Sequence, residues 1–280
     1  MTAFSADDIE GIDRFFVEHG YVAVSGVFGQ SELAAMESSC EAAQARLVAG
    51  DLPERYGTTI LIDSAAGKRT ADFVNYVTYV TELAPEVRAA ARHPAIAALV
   101  GRWLGDKAWL QESTRFGVVY QDARPGDESS YTRIGWHSDW QSGPNLDVWP
   151  SVAFTIHLDG TSPANGFLRV VPGSHHWATP APYQNVNAAV VPEGSAPAGG
   201  HTAEAPPFPM PLRFEKVPNE IALYCDRGDL LFHDGYLWHS AARATDDEAR
   251  RRHVRGGWYS GTPLDPSYVW TEDFFKNAAR

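Results

Sequence analysis

From about Lys107 onward the chain is a succession of short β-rich runs divided by turns rich in Gly, Pro, Asp and Asn. The runs read AWLQESTRFGVVYQ, TRIGWHSD, SVAFTIHLD, FLRVV, EIALYC, DLLFHD and RRHVRGGWYSG. Short strands at this spacing predict a sandwich, jelly roll or barrel, since alternating βαβ units would need a helical pattern between successive strands. The first third has a different texture. Ser5 can cap a helix that carries Ile9, Ile12 and Phe16 at helical spacing, with Gly20 as its stop signal. Tyr21 to Val27 has a strand pattern, and a second helix from about Ser31 to Gly50 aligns Leu33, Met36, Cys40, Ala43 and Leu47 on one face. Pro85 and Pro94 each suit the first turn of a further helix. With no internal repeat, the expectation is one domain over residues 1–280: a mostly helical layer over 1–106, a β core over 107–262 and a tail over 263–280. Residues 178–218 are rich in proline and lack periodicity, which predicts a long insertion that is either disordered or functional, with a lid as the favoured reading.

Charge and composition narrow the function. A formal net charge of −12 argues against nucleic acid and anionic membranes as partners. The N-terminal MTAFSADDIE is acidic and has no apolar signal region, and no apolar run approaches the roughly 20 residues that span a bilayer. The two cysteines, Cys40 and Cys225, each lie in an apolar pattern and read as buried thiols of a reducing compartment. A soluble cytoplasmic protein is expected, with a small molecule as its partner; the sequence leaves the oligomeric state open.

The chemistry concentrates in IGWHSDWQSGPN, residues 134–145. On a strand, positions i and i+2 share a face, so His137 and Asp139 can lean toward one atom, whereas helical spacing would send them apart. Alone, His-x-Asp can equally be a chance tripeptide in a turn. A second feature lies downstream: GDLLFHDGYLWHS, a strand and a turn that lead to His239, 100 positions after Asp139. Two histidines and a carboxylate on one face of an octahedron, with the opposite face open, are the usual ligands of non-haem Fe(II) oxygenases. His233 is the rival to His239 within the same segment.

Several segments in the same order resemble the Fe(II)- and 2-oxoglutarate-dependent dioxygenases, most closely the phytanoyl-CoA dioxygenase family that includes the ectoine hydroxylases. These are the opening IDRFFVEHGYVAVSGVFGQSELAAM, the motif GWHSDW, the strand GFLRVVPGSHHW and the segment DRGDLLFHDGYLWHS. The resemblance implies a double-stranded β-helix (a cupin-like jelly roll) with His137, Asp139 and His239 holding Fe(II). 2-Oxoglutarate and O2 would be the co-substrates. The implied reaction hydroxylates an unactivated C–H bond of a small metabolite or natural-product intermediate, with release of succinate and CO2. Desaturation, epoxidation, cyclisation and epimerisation on the same centre remain open, as does a cupin-like metalloprotein that does without 2-oxoglutarate. Asp139 argues against halogenation, because related halogenases carry a small residue in its place.

The family also grips the far carboxylate of 2-oxoglutarate with an arginine on the strand after the distal histidine, a task suited to a planar fork. Here HSAARATDDEARRRHVRGGWYSG offers Arg250, Arg251, Arg252 and Arg255, and the spacing is about two residues longer than the family's. Counting back from Trp258–Tyr259 selects Arg252, with Arg250 second. Strand alternation then groups Arg252, Val254, Gly256 and Trp258, which makes Trp258 a further co-substrate contact. Gln111 matches a glutamine that family members place before the iron motif, and reads either as a contact to 2-oxoglutarate or substrate or as an ordinary strand residue. Trp136, Trp140 and Trp238 are expected near the metal, as walls of a dry pocket. His175 and His176 are expected to hydrogen-bond structurally, and His157 either lines the barrel or is a satisfied core histidine. His19, His93, His201 and His253 are unremarkable in the sequence.

Overall fold

The apolar stripes of the first third become helices with well-defined ends. In the computed structural model, which describes residues 3–58, 74–112, 114, 117–123, 135–142, 150–179, 199–210, 214–242, 244–246 and 249–263, α1 covers Ile9–His19. Its cap is Asp8, whose carboxylate accepts from the Gly11 N–H at 3.0 Å. Ser5, the expected cap, lies instead in a two-residue strand, β1 (Phe4–Ser5). Gly20 ends the helix at φ 77°, and a Cβ there would come within 2.5 Å of the His175 ring, so both conformation and space require glycine. Next come β2 (Tyr21–Ser25) and α2 (Gln30–Ala49), where Leu33, Met36, Cys40, Ala43 and Leu47 are all buried. Pro85 and Pro94 open α4 (Pro85–Ala91) and α5 (Pro94–Leu104), which follow the short α3 (Val80–Leu83). None of the described helices is long and apolar enough to cross a membrane.

The remaining strands are β3 (Gly57–Thr58), β4 (Tyr76–Val77), β5 (Trp109–Leu110), β6 (Val119–Ala123), β7 (Ser151–His157), β8 (Leu168–Val170), β9 (Ile221–Leu223), β10 (Leu230–Asp234), β11 (His239–Ala241) and β12 (Arg251–Tyr259). They form two sheets. The larger has the order β1-β2-β10-β7-β12-β6-β4-β3, with β5 beside β12; the smaller is β11-β8-β9. An isolated antiparallel bridge, His137↔His239, extends the smaller sheet past β11. This is the expected double-stranded β-helix, except that β1 and β2 from the N-terminal layer join the larger sheet. The interiors of the proposed lid (180–198) and tail (264–280) lie outside the described residues. The two flanks of this segment pair with each other through the bridges Trp177↔Glu204 and Thr179↔Gly199.

The register of β12 decides which residues reach the interior. Val254 pairs with Ile156 and Trp258 with Val152. These apolar side chains, with Phe154, pack on Ile12, Phe16, Leu33, Met36 and Leu99 of the helical layer. The opposite face of β12 carries Arg251, His253, Arg255, Gly257 and Tyr259 toward the smaller sheet.

Arg252 and Trp258 therefore do share a face, as alternation predicts, but it is the helix-covered one. Trp258 is part of the helical-side core. The Arg252 fork donates to both Asp159 oxygens, at 2.8 and 2.6 Å, and to Glu41 at 2.7 Å, and it also pairs with Glu37. Burial would raise the Asp159 carboxyl, yet the bonds from Arg252 outweigh it and hold the group below the usual carboxylate range. Arg250, the second candidate, points the same way and donates to Asp122 at 3.0 Å. Neither arginine reaches the interior, which corrects the sequence expectation for Arg252, for Trp258 and for the runner-up Arg250. Since Arg252 ties β12 to α2 and to the end of β7, Arg252→Met should cost about 2–4 kcal/mol. Urea unfolding followed by circular dichroism measures this, and a loss under about 0.5 kcal/mol, the size of an ordinary surface change, would refute the structural role.

Candidate metal centre and the chamber around it

The bridge that extends the smaller sheet is also what brings the two histidines together. The His137 N–H donates to the His239 carbonyl at 3.0 Å, and the His239 N–H donates back at 2.8 Å. Residues paired in this way direct their side chains to the same side, and the ring centroids lie 4.3 Å apart. Each ring is oriented by a backbone carbonyl two residues earlier. His137 Nδ1 bonds Gly135 O at 2.8 Å, and His239 Nδ1 bonds Leu237 O at 2.9 Å. A carbonyl only accepts, so both Nδ1 atoms carry the proton and both Nε2 lone pairs are left for a metal.

Asp139 completes the group by a different route from the one expected. The chain leaves the strand directly after His137, and Asp139 is the first residue of a short helical turn, α6 (Asp139–Ser142), held by Trp140 N–H to Gly235 O at 3.0 Å. One ligand atom each from His137, Asp139 and His239 falls within 4.8 Å of the other two. Asp139 Oδ1 lies 3.7 Å from His239 Nε2, and Oδ2 accepts from His233 Nε2 at 3.1 Å. His233 thus stands outside the ligand group as a donor to its carboxylate. Burial would raise the Asp139 carboxyl, but the His233 hydrogen bond and the surrounding imidazoles hold it well below the usual range. Burial also lowers His137, and it lowers His239 strongly. At neutral pH the site therefore offers two neutral imidazoles and one carboxylate, a donor set suited to a divalent metal such as iron(II).

Two of the tryptophans beside the ligands, Trp136 and Trp238, face away from the metal. Alternation turns Trp136 and Trp238 to the outer side of the smaller sheet, where they cluster with Val171 and Val217. There Trp136 Nε1 donates to Glu215 O at 2.8 Å, and the Arg169 guanidinium lies 4.8 Å from its ring. Trp140 is 1% exposed and packs near Tyr236 and Gly199. For Trp136 and Trp238 the expectation that they line the pocket is corrected: they brace the ligand-bearing backbone from behind. The PGSH turn does similar work, with Ser174 Oγ accepting from the Trp238 N–H at 2.9 Å and His175 Nε2 bonding Val17 O at 3.1 Å.

The wall facing the metal is polar, and the sequence reading missed most of it. Across the sheet, His253 pairs with His157 and with Gln121, and Arg255 pairs with Thr155 and Val119. His253 Nε2 bonds the Gln121 Oε1 at 2.9 Å, while the Gln121 Nε2, also buried, has no partner among the described residues. Burial, followed by the nearby Arg251, keeps His253 neutral, and burial brings His157 down to about 4. Arg251, 7% exposed, extends toward Gly166, where a Cβ would lie 3.0 Å from its guanidinium and 2.8 Å from the Ala242 carbonyl. Gly166 at φ 85° makes that approach possible. Gln111 sits beside Gly257, its N–H donating to the Gly257 carbonyl at 3.0 Å and its side-chain amide to Thr114 Oγ1 at 2.9 Å. The signal that could have found Arg251, His253 and Arg255 was the same alternation counted from Tyr259 instead of Trp258.

Residues 16–252 match the family described as phytanoyl-CoA dioxygenase (PhyH). A dioxygenase of Aspergillus fumigatus, af480, is 27% identical over 269 residues, which are 94% of this chain and 71% of that enzyme. The ectoine dioxygenase of Bordetella parapertussis is 24% identical over 176 residues, 62% of this chain and half of that enzyme's length (50%). Among solved structures, the epimerase SnoN in complex with Fe3+, alpha ketoglutarate and nogalamycin RO shares the fold at a TM-score of 0.60 and 20% identity, covering 94% of both chains. The ligand geometry, the sheet order and a family match across most of the sequence agree, and the chain belongs to the phytanoyl-CoA dioxygenase family of iron(II)- and 2-oxoglutarate-dependent oxygenases.

Proposed function

We propose that this protein hydroxylates an unactivated C–H bond of a small metabolite or natural-product intermediate, with His137, Asp139 and His239 as its iron ligands. The observation that carries the reading is the convergence of these three donor atoms, within 4.8 Å of one another, with both imidazoles already in the metal-binding tautomer. Bound iron(II), with 2-oxoglutarate and O2, supplies an oxidant able to take hydrogen from carbon. The protein's part is to bind, orient and keep water out. His233 donates to Asp139 Oδ2 and leaves Oδ1 turned toward the histidines. Arg251 stands at the closed end of the chamber, beside Ala242, three residues beyond His239 on the same chain path, about 10 Å along it. That separation suits a five-carbon diacid chelating the metal at one end and held by a guanidinium fork at the other. The unpartnered Gln121 amide supplies a further donor close by. Gln111 borders the chamber as a second contact to co-substrate or substrate.

The epimerase activity named for SnoN favours one alternative, a different outcome from the same centre, since the placement of the substrate's carbon and not the ligand set decides it. Cys40 and Cys225, free and buried, suit a reducing cytoplasm.

Anaerobic addition of Fe(II) and 2-oxoglutarate should give a weak metal-to-ligand charge-transfer band in the visible; no band with the intact protein would overturn the reading. Titrated by that band, Arg251→Gln should raise the Kd for 2-oxoglutarate about tenfold or more. Arg252→Met should leave it within about twofold, because its partners are on the helical side. His233→Leu should weaken iron binding about 10–100-fold, read by competition with a chromogenic chelator. Unchanged affinity there would show the Asp139 contact to be incidental.

A further inference from the structure

Arg255 is the cation on the metal-facing wall that the reading above leaves without a task. Its register, opposite Thr155 on one side and Val119 on the other, puts it on the same face of β12 as Arg251, four residues further along toward Tyr259. Its exposure is intermediate, whereas Arg251 is 7% exposed, so Arg255 stands on the open side of the chamber. Among the described residues no carboxylate pairs with it; its guanidinium lies 5.5 Å from the centre of the buried Tyr76 ring, a contact that fixes a direction but does not cancel a charge. Its field reaches His137, one of the three ligands, and Tyr259, which also lies in the field of Asp139.

The charge count makes this cation informative. A ferrous ion with the Asp139 carboxylate leaves one positive charge. The doubly negative co-substrate and the Arg251 guanidinium then bring the set to neutrality. Arg255 adds a positive charge that nothing in the set balances, in a space meant to be dry, where an unpaired charge costs several kcal/mol. On the outer face Arg252 of the same strand has three carboxylates and Arg250, just before it, has two, so among the described residues the lack of one is particular to the inner face at Arg255.

We propose that Arg255 anchors a carboxylate of the substrate, so that this enzyme acts on small monoanionic acids held by the acid group with the reacting carbon presented to the metal. The assignment rests on the iron and 2-oxoglutarate reading above and adds a substrate class to it. A planar fork on the open side binds a carboxylate bidentately, which fixes both the distance and the roll of the bound molecule. Neutral analogues of the same shape would leave the guanidinium desolvated and unpaired, and would be rejected by more than the hydrogen bonds themselves account for.

The test uses the full chain loaded anaerobically with Fe(II) and 2-oxoglutarate, and matched pairs of probes: isobutyrate against isobutyramide, phenylacetate against phenylacetamide, and N-acetyl amino acids against their amides. The charge-transfer band of the wild type reports first, since a missing band would defeat the dioxygenase reading itself. With the band in place, acids should perturb it, or speed succinate release once O2 is admitted, at concentrations about tenfold or more below their amides. Arg255→Gln should erase the preference and keep the Kd for 2-oxoglutarate within about threefold; Arg255→Lys, which retains the charge without the fork, should restore part of it. Thermal melting of both variants checks that they fold, and the lysine variant decides if the glutamine variant does not. The proposal is overturned if acids and amides act alike, if every acid is silent on wild type with a normal band, if Arg255→Gln keeps the preference, or if Arg255→Gln abolishes 2-oxoglutarate binding. The last outcome would make Arg255 the co-substrate's own clamp.

Discussion

Two backbone hydrogen bonds between His137 and His239, of 3.0 and 2.8 Å, join parts of the chain about 100 residues apart, and the rest of the site hangs on them. They set the relative position of the two imidazoles through the backbone, so no flexible side chain has to find its partner after folding. Each ring is then turned by a carbonyl two residues before it, at 2.8 Å for His137 and 2.9 Å for His239. The repeated arrangement gives two equivalent donors aimed at a common point. Asp139 is free to come from a different kind of element, a helical turn, because the bridge has already fixed where the point is.

The same pairing explains why two of the protein's bulkiest side chains lie next to the ligands in sequence and yet not beside the metal. Trp136 and Trp238 must face outward if His137 and His239 face inward, and outside they are 0% and 2% exposed. Truncating a tryptophan this buried costs about 3–5 kcal/mol, a measure of how firmly each anchors its strand. The Ser174 hydroxyl and the Val171 N–H, which bind the Trp238 backbone at 2.9 and 3.1 Å, hold the same segment from β8 and its turn. Rigidity at the metal is thus generated on the opposite side of the sheet, where apolar packing is compatible with a polar, ligand-accepting interior.

Elements governed by local periodicity were legible in the sequence. The buried stripe of α2 contains the five residues that spacing selects, Gly20 and Gly50 end their helices in the left-handed conformation, and both prolines open helices. The double-stranded β-helix followed from the strand-rich texture and the family resemblance together. What could not be read was register. Alternation sorts β12 into two faces but does not say which is inward, and a slip of one residue exchanges Arg252 and Trp258 for Arg251 and Tyr259. Nor does local spacing announce that the chain turns at Asp139, or that Phe4 and Ser5 leave the helix to pair with Val24 and Ser25. In each case the deciding partner is remote: Ile156 for Val254, Gly235 for Trp140, β2 for β1.

β12 presents arginines on both faces, and their surroundings differ for a physical reason. Outside, Arg252 is enclosed by Asp159, Glu37 and Glu41, acids supplied by α2 and by the residues just past β7. These pairs close the gap between sheet and helix, and an arginine there is neutralised as soon as the chain folds. Inside, the described strand neighbours of Arg255 are a threonine, a valine and the ring of Tyr76, and among the described residues no carboxylate pairs with it. Burial keeps His157 and His253 neutral, so they do not add to the positive field. Fixed acids inside would stabilise the empty protein and occupy the forks that anionic ligands need. The exterior of the strand thus completes its electrostatics on folding, and Arg255 on the inner face keeps a charge that no described carboxylate pairs.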